Sequence, residues 1–250
     1  MKLENQVALV TAAAGAGIGR ATAYALASEG ADVVVTDIHE SRTRETTADL
    51  ATAFGRDFLG LELDVTNEDQ VDAAVKTVIK EKGRLDIVVN NAARNSPAPL
   101  WEMSTKSWHQ IIDACLSSQF FVMRAVLPHM IEQRAGCVIN VSSGAAWTPH
   151  DSGDSAYCAA KAGVLGLTRA AAAEVGRYGI RVNAIAPDLI WNDHLAKIYP
   201  PDYFENLRAK SVTDRQGTPE DMARLILFLA TDSYLTGQAI NASGGFYMHP

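Results

Sequence analysis

Short apolar runs alternate along the chain with longer stretches whose apolar positions recur every three to four residues. The runs at 7–11, 31–37, 57–64, 85–90, 136–142, 180–186 and 237–241 predict strands. The stretches at 18–29, 41–54, 68–82, 104–134, 156–177 and 219–231 predict helices. Val33-Val34-Val35 and Ile87-Val88-Val89 show no polar alternation, which suits strands covered on both faces. Alternation of this kind predicts an α/β fold, a doubly wound parallel sheet of about seven strands with helices on both faces. The rhythm breaks once, between about 188 and 218, where Trp191, Tyr199-Pro200-Pro201, Tyr203 and Phe204 occur without a clear strand. So long an insertion in a compact fold predicts a substrate lid at about 188–218. With no linker or internal repeat, one domain over 1–250 is expected.

The junction of the first strand and first helix carries Gly15-Ala16-Gly17-Ile18-Gly19. Glycines let a backbone approach a pyrophosphate, and a helix N-terminus offers free N–H groups and the positive end of its dipole. A lone glycine cluster is weak, but this one lies where a Rossmann fold binds a dinucleotide. Asp37 ends the second strand, 18 residues after Gly19, with Ile38 beside it. A carboxylate there can accept from both ribose hydroxyls and repel a 2′-phosphate, which selects NAD over NADP. Its competing role is a turn or N-cap residue, and Arg42 nearby leaves room for a phosphate. Asp64-Val65, at the end of the third strand, could meet the adenine, and Asn91-Ala92-Ala93, after the fourth, allow close passage of a cofactor.

Tyr157 and Lys161 stand four residues apart in Tyr157-Cys158-Ala159-Ala160-Lys161, and so share one helix face. A free tyrosine has a pKa of about 10, so roughly one in a thousand is ionised at neutral pH. A cation beside it favours the phenolate, which a general acid–base requires. The spacing alone is common on solvated helices and gains meaning only beside the glycine turn.

These motifs, with Val141-Ser142-Ser143, Arg181-Val182-Asn183-Ala184 and the closing Leu235-Thr236-Gly237-Gln238 through Gly244-Gly245, resemble the short-chain dehydrogenase/reductase family over nearly the whole chain. The resemblance implies that Tyr157 exchanges a proton with the substrate oxygen, while Lys161 lowers its pKa and binds the nicotinamide ribose. Ser143 aligns with the family's serine that hydrogen-bonds the carbonyl oxygen; Ser142 would point to the other side of the strand end. It also implies NAD contacts from Pro187, Ile190 and Asn192, and a homotetramer built on helices 104–134 and 156–177 and the C-terminal strand.

Several positions depart from the family pattern. Cys115 falls where many members carry an asparagine that helps hold a water linking the lysine to solvent. A thiol is a poor donor and acceptor, so the relay could be rerouted, or Cys115 could serve only as a small buried hydrophobe. Ala12-Ala13-Ala14 replaces the usual Thr-Gly opening of the turn, by an added residue or by two replacements. Asp188 follows Pro187 where glycine is usual, and Asn192 replaces a threonine that holds the carboxamide.

Composition narrows the partners. The 22 basic and 29 acidic residues give a net charge of −7, which argues against nucleic acid and anionic membrane surfaces. No run approaches the roughly 20 apolar residues of a membrane span, and no signal peptide is read at the start. Cys115, Cys137 and Cys158 lack metal-ligand spacing, so no metal and a reduced, cytoplasmic setting are expected. Arg94, Trp147, His150 and Trp191, with Ser143, are the expected substrate contacts, and the aromatic content of the lid suits a bulky alicyclic or acyl small molecule.

The reading is an NAD-dependent enzyme interconverting a secondary alcohol and a ketone. Shorter matches, Thr36-Asp37-Ile38-His39-Glu40 and His249-Pro250 among them, resemble a bacterial branch acting on hydroxyacyl-CoA intermediates of steroid-ring breakdown. The rivals are a non-redox NAD-binding member of the fold and an isomerase or dehydratase.

Overall fold

A computed structural model describes residues 1–148, 153–188, 190–191, 205–206 and 208–248. Its elements in chain order are β1 (Val7–Val10), α1 (Ile18–Ser28), β2 (Asp32–Asp37), α2 (Glu40–Phe54), β3 (Gly60–Glu62), α3 (Glu68–Lys82) and β4 (Ile87–Asn90). There follow α4 (Thr105–Ile112), α5 (Ser118–Gln133), β5 (Gly136–Val141), α6 (Ser155–Val175), β6 (Ile180–Pro187), α7 (Pro219–Thr231) and β7 (Ala239–Ala242). The strands form one sheet in the order β3-β2-β1-β4-β5-β6-β7, every neighbouring pair parallel.

The lack of polar alternation in the strands has its explanation here, because each face of the sheet carries its own core. Ala8, Val10, Val33, Val35, Ile87, Val89 and Ile139 pack with Ala23 and Leu26 of α1, Leu50 of α2 and Ile226 and Leu229 of α7. The intervening Val7, Leu9, Val34, Val88 and Val138 pack on the opposite face with Val71 and Val75 of α3, Val122 and Val126 of α5 and Ala171 and Val175 of α6. Each valine, leucine or isoleucine among them contributes about 1.5–3 kcal/mol by leaving water.

Two elements differ from the periodicity. The third strand pairs over only Gly60–Glu62, because β3 is an edge strand with β2 as its single neighbour. Asp64 and Val65 therefore lie beyond its end rather than in it. The stretch 104–134 is not one uniform helix: α4 and α5 are joined through a π-helical turn, Asp113–Ser117. By length and composition Thr105–Gln133 could cross a membrane. Here it instead packs Val122, Met123, Val126 and Met130 onto the sheet.

Strand order reverses between β1 and β4, which carry the chain to opposite sides of the sheet. The loops leaving their C-terminal ends therefore flank a crevice, the place where open α/β sheets bind ligands. Most of the expected lid, 192–204, lies outside the described residues, as do Asn192, His150 and His249-Pro250.

Candidate active site

The loop leaving β1 is held in place by the loop leaving β4. Asn91 Nδ2 donates to the carbonyls of Thr11 and Ala12, each at 3.0 Å. Thr11 Oγ1 accepts the N–H groups of Asn91 and Ala92, at 2.9 and 3.2 Å. A Cβ on Gly19 would overlap both Ala12 O and Asn91 Nδ2, so α1 approaches this knot only because position 19 has none. Gly15 and Gly17 have φ of +100° and +150°, which other residues rarely adopt, and space lies open beyond them. Ala12 takes a left-handed φ of 49°, the conformation a glycine accepts at no steric cost. Ile18 opens α1 and packs against the core, and that first turn holds no acidic residue. An open, glycine-lined backbone at an uncapped helix N-terminus fits the pyrophosphate of a dinucleotide.

Asp37 is buried at the end of β2 and already bonded. Its Oδ2 accepts from Ala14 N at 3.3 Å and its Oδ1 from His39 N at 3.1 Å. The carboxylate thus ties the glycine loop to the start of α2, serving as turn residue while keeping acceptor capacity for a ribose. Ile38 is exposed beside it. Asp64 Oδ1 accepts from the N–H and the hydroxyl of Thr66, at 2.9 and 2.7 Å, and Val65 is buried. Ala92 is partly buried and Ala93 exposed past the end of β4.

Ser143, Tyr157 and Lys161, the residues expected to handle the proton, meet where β5 ends against α6. Lys161 is 1% exposed, among the largest fully buried side chains. Its Nζ donates to Val141 O at 2.7 Å and lies 5.5 Å from the centre of the Tyr157 ring. Burial pushes the ammonium below the usual lysine range, and the Cys115 sulfur nearby works in the opposite direction. Tyr157 is half-buried. Ser142 and Ser143 point apart: Ser142 Oγ is buried and donates to Lys161 O at 2.8 Å. Ser143, half-buried, starts a short 3₁₀ turn, Gly144–Ala146, and its Oγ accepts from Ala145 N at 3.2 Å. That turn packs against α6.

Pro187 closes β6, and Ile190, buried, forms a bridge with Gly217. Asp188 packs its carboxylate against Gly144, where a Cβ would stand only 2.6 Å from Oδ2. The absence of a side chain at 144 thus makes room for the unusual aspartate.

Three of the expected substrate contacts, Arg94, Trp147 and Trp191, lie among the described residues. Arg94 is exposed, and its defined contacts are those of its backbone to Cys115. Trp147 stacks on Tyr247, ring centres 6.0 Å apart and 23° between planes, so its ring is held by the C-terminal segment. Trp191, 42% exposed, lines a groove of about 940 Å³ between α1 and α7 with Gly17, Arg20, Tyr24 and Thr218; Ser143, Tyr157 and Lys161 do not line it. Trp191 therefore borders the glycine turn.

Cys115 does more than fill space. Fully buried, its Sγ donates to Arg94 O at 3.1 Å and accepts from Arg94 N at 3.4 Å. Three further residues went unread in the sequence: Gln119, buried beside Lys161's acceptor; Tyr247; and Asn95, whose Nδ2 donates to the buried Asp154 at 2.7 Å. Only Asn95 carried a signal, a polar residue close behind the Asn90-Asn91 pair.

The chain matches the family model described as enoyl-(acyl carrier protein) reductase over residues 12–247. It is 40% identical over 245 residues to (5R,7aS)-5-hydroxy-7a-methyl-1-oxo-2,3,5,6,7,7a-hexahydro-1H-indene-carboxyl-CoA reductase of Mycobacterium tuberculosis, covering 96% of this chain and 93% of that one. It is 39% identical over 247 residues to the (2S)-[(R)-hydroxy(phenyl)methyl]succinyl-CoA dehydrogenase subunit BbsD of Thauera aromatica, covering 98% of each. The crystal structure of levodione reductase superposes with a TM-score of 0.92 at 32% identity, covering 97% of this chain and 98% of that one.

Proposed function

Because the chain belongs to the short-chain dehydrogenase/reductase family, we propose that Ser143, Tyr157 and Lys161 carry its alcohol–ketone redox chemistry and that its cofactor is NAD. The observation that carries the reading is the buried Lys161 ammonium 5.5 Å from the Tyr157 ring. The nicotinamide, when bound, supplies or takes the hydride. Tyr157 Oη takes the hydroxyl proton on oxidation and returns it to the carbonyl oxygen on reduction. Lys161 favours the phenolate by its charge, and Ser143 Oγ hydrogen-bonds the substrate oxygen, sharing the charge that develops there.

Gly15, Gly17, Ile18 and Gly19 would hold the pyrophosphate, Asp37 the adenosine ribose, and Asp64, Val65, Asn91, Ala92 and Ala93 the crevice floor. Pro187 and Ile190 would border the nicotinamide. Asp37 supports NAD because a 2′-phosphate would meet its charge. Two relatives whose names specify CoA thioesters support a hydroxyacyl-CoA or comparable bulky alicyclic substrate. We place the protein in the cytoplasm, consistent with three unpaired cysteines. We read it as one domain that assembles as a homotetramer, with exposed apolar residues such as Phe120 of α5 in the interfaces.

The test is NADH formation from NAD over secondary alcohols, hydroxysteroids, and alicyclic and linear hydroxyacyl-CoAs, with Tyr157→Phe as control. A turnover lost in the variant supports the reading. Cofactor binding without oxidation of any panel member would sink it.

A further inference from the structure

Gln119 is 1% exposed and uncharged, and it lies against the same carbonyl as Lys161. Its Nε2 donates to Cys115 O and to Val141 O, each at 3.2 Å, while Lys161 Nζ reaches Val141 O at 2.7 Å. A carbonyl oxygen has two lone pairs, so amide and ammonium together occupy Val141 O. The first acceptor, Cys115 O, belongs to the π-helical turn. The side chain therefore ties that turn to the end of β5, two residues before Ser143.

Only one orientation of the amide is possible. Both neighbours are acceptors, so turning Oε1 toward them would set oxygen against oxygen. Oε1 itself meets no donor among the described residues. Burying such a group carries a desolvation penalty that an apolar side chain would avoid. A polar residue kept in a core at that penalty is expected where the site needs it.

We propose that Gln119 is a positioning residue for Lys161. By occupying one lone pair of Val141 O, it weakens that oxygen's hold on the ammonium and leaves Lys161 able to turn toward Tyr157 and a bound cofactor. Without the amide, Val141 O would hold the ammonium alone, farther from the phenol and better stabilised in its charged form. Among the described residues, the titratable groups facing the ammonium are Tyr157 on its own helix and Cys115 on the π-helical turn. The carboxylates on bordering elements include Asp113 of the π-helical turn, Asp154, the N-cap of α6, and Asp188, against Gly144. The Gln119 amide carries no charge, so its effect on Lys161 is one of hydrogen-bond competition.

The inference rests on the proposed role of Tyr157, and the experiment separates the two. Gln119→Leu and Gln119→Met, both apolar and of similar length, are compared with the full wild-type chain after thermal melting and NADH binding confirm folding. The readouts are kcat and KM against pH, and the titration of the Lys161 side chain by ¹³C NMR in the presence and absence of NADH. The expected result is a kcat about tenfold lower at near-constant KM, with the acidic limb of alcohol oxidation moved up by about one pH unit. The Lys161 titration moves up with it. A folded variant that keeps the wild-type limb and the wild-type Lys161 titration overturns the proposal, as does failure of both variants to fold, which would make Gln119 a fold determinant. Turnover that survives Tyr157→Phe would strike the functional reading instead, while the NMR titration still tests Gln119.

Discussion

The ammonium of Lys161 lies 5.5 Å from the centre of the Tyr157 ring, one helical turn away on α6 and sealed from water. A charge so placed acts on the phenol with little screening. Tyr157→Phe removes the proposed proton carrier and leaves the packing of the ring intact. The expected outcome is a loss of about 10²–10⁴ in kcat, with NADH affinity and melting temperature close to wild type. Steady-state kinetics with a fluorescence titration of NADH checks both halves, and comparable activity in the variant would remove Tyr157 from the mechanism.

The same burial makes Lys161 costly to the fold. Its folded pKa is lowered by desolvation, so between that value and the ordinary lysine pKa of 10.5 the unfolded chain binds the proton more readily. Stability on this account is lost as pH falls through the folded pKa and is recovered as pH rises toward 10.5. Lys161→Met should therefore be inactive yet more stable than wild type at neutral pH, with the advantage shrinking in alkali. Denaturant melts at several pH values measure this; parallel stability curves for the two proteins would contradict it.

Asp37 has two tasks that substitution can separate. Its carboxylate anchors Ala14 and His39 through their N–H groups, and on the proposed reading it repels a 2′-phosphate. Asp37→Ser keeps a short hydroxyl acceptor and loses the charge. The ratio of kcat/KM for NAD over NADP should fall by at least about tenfold, since displacing one like charge is worth upward of 1.4 kcal/mol. Kinetics with both cofactors decides the matter, and a wild type that prefers NADP would end the argument.

The strands and the crevice were legible in the sequence because their causes are local. An apolar run such as Val33-Val34-Val35 must be covered on both sides, and the glycine turn needs its unusual φ wherever the chain goes next. The π-helical turn at Asp113–Ser117 left no such mark. An apolar face survives one displaced turn, so the period over 104–134 reads as unbroken. Gln119 was illegible for a different reason: a glutamine on a helix reads as solvated, and one of its acceptors, Val141 O, lies 22 residues away. Trp147 and Tyr247 meet only through the folded sheet. The groove that Trp191 lines beside Gly17 and Thr218 was likewise unreadable, because an aromatic residue advertises burial or contact without naming its neighbours.

Cys115 offers the sharpest comparison between the family pattern and this chain. The family's asparagine there has an amide that can donate and a carbonyl that can accept, and the thiol performs both tasks toward Arg94, donating to its carbonyl and accepting its N–H. Those bonds fasten the π-helical turn to the segment that follows Asn91, Ala92 and Ala93. Cys115→Asn can reproduce both, so it should fold with a melting temperature near wild type and retain activity. Cys115→Ala leaves the Arg94 backbone groups without partners at a cost of about 1–3 kcal/mol, and it loosens the turn whose carbonyl Gln119 holds. Thermal melts of the two variants, beside kcat for each, distinguish a thiol that anchors a turn from one that only fills space. Alanine matching wild type in both measurements would reduce Cys115 to packing, whereas an asparagine that restores what alanine loses would show that the hydrogen bonds, not the sulfur, are what the position requires.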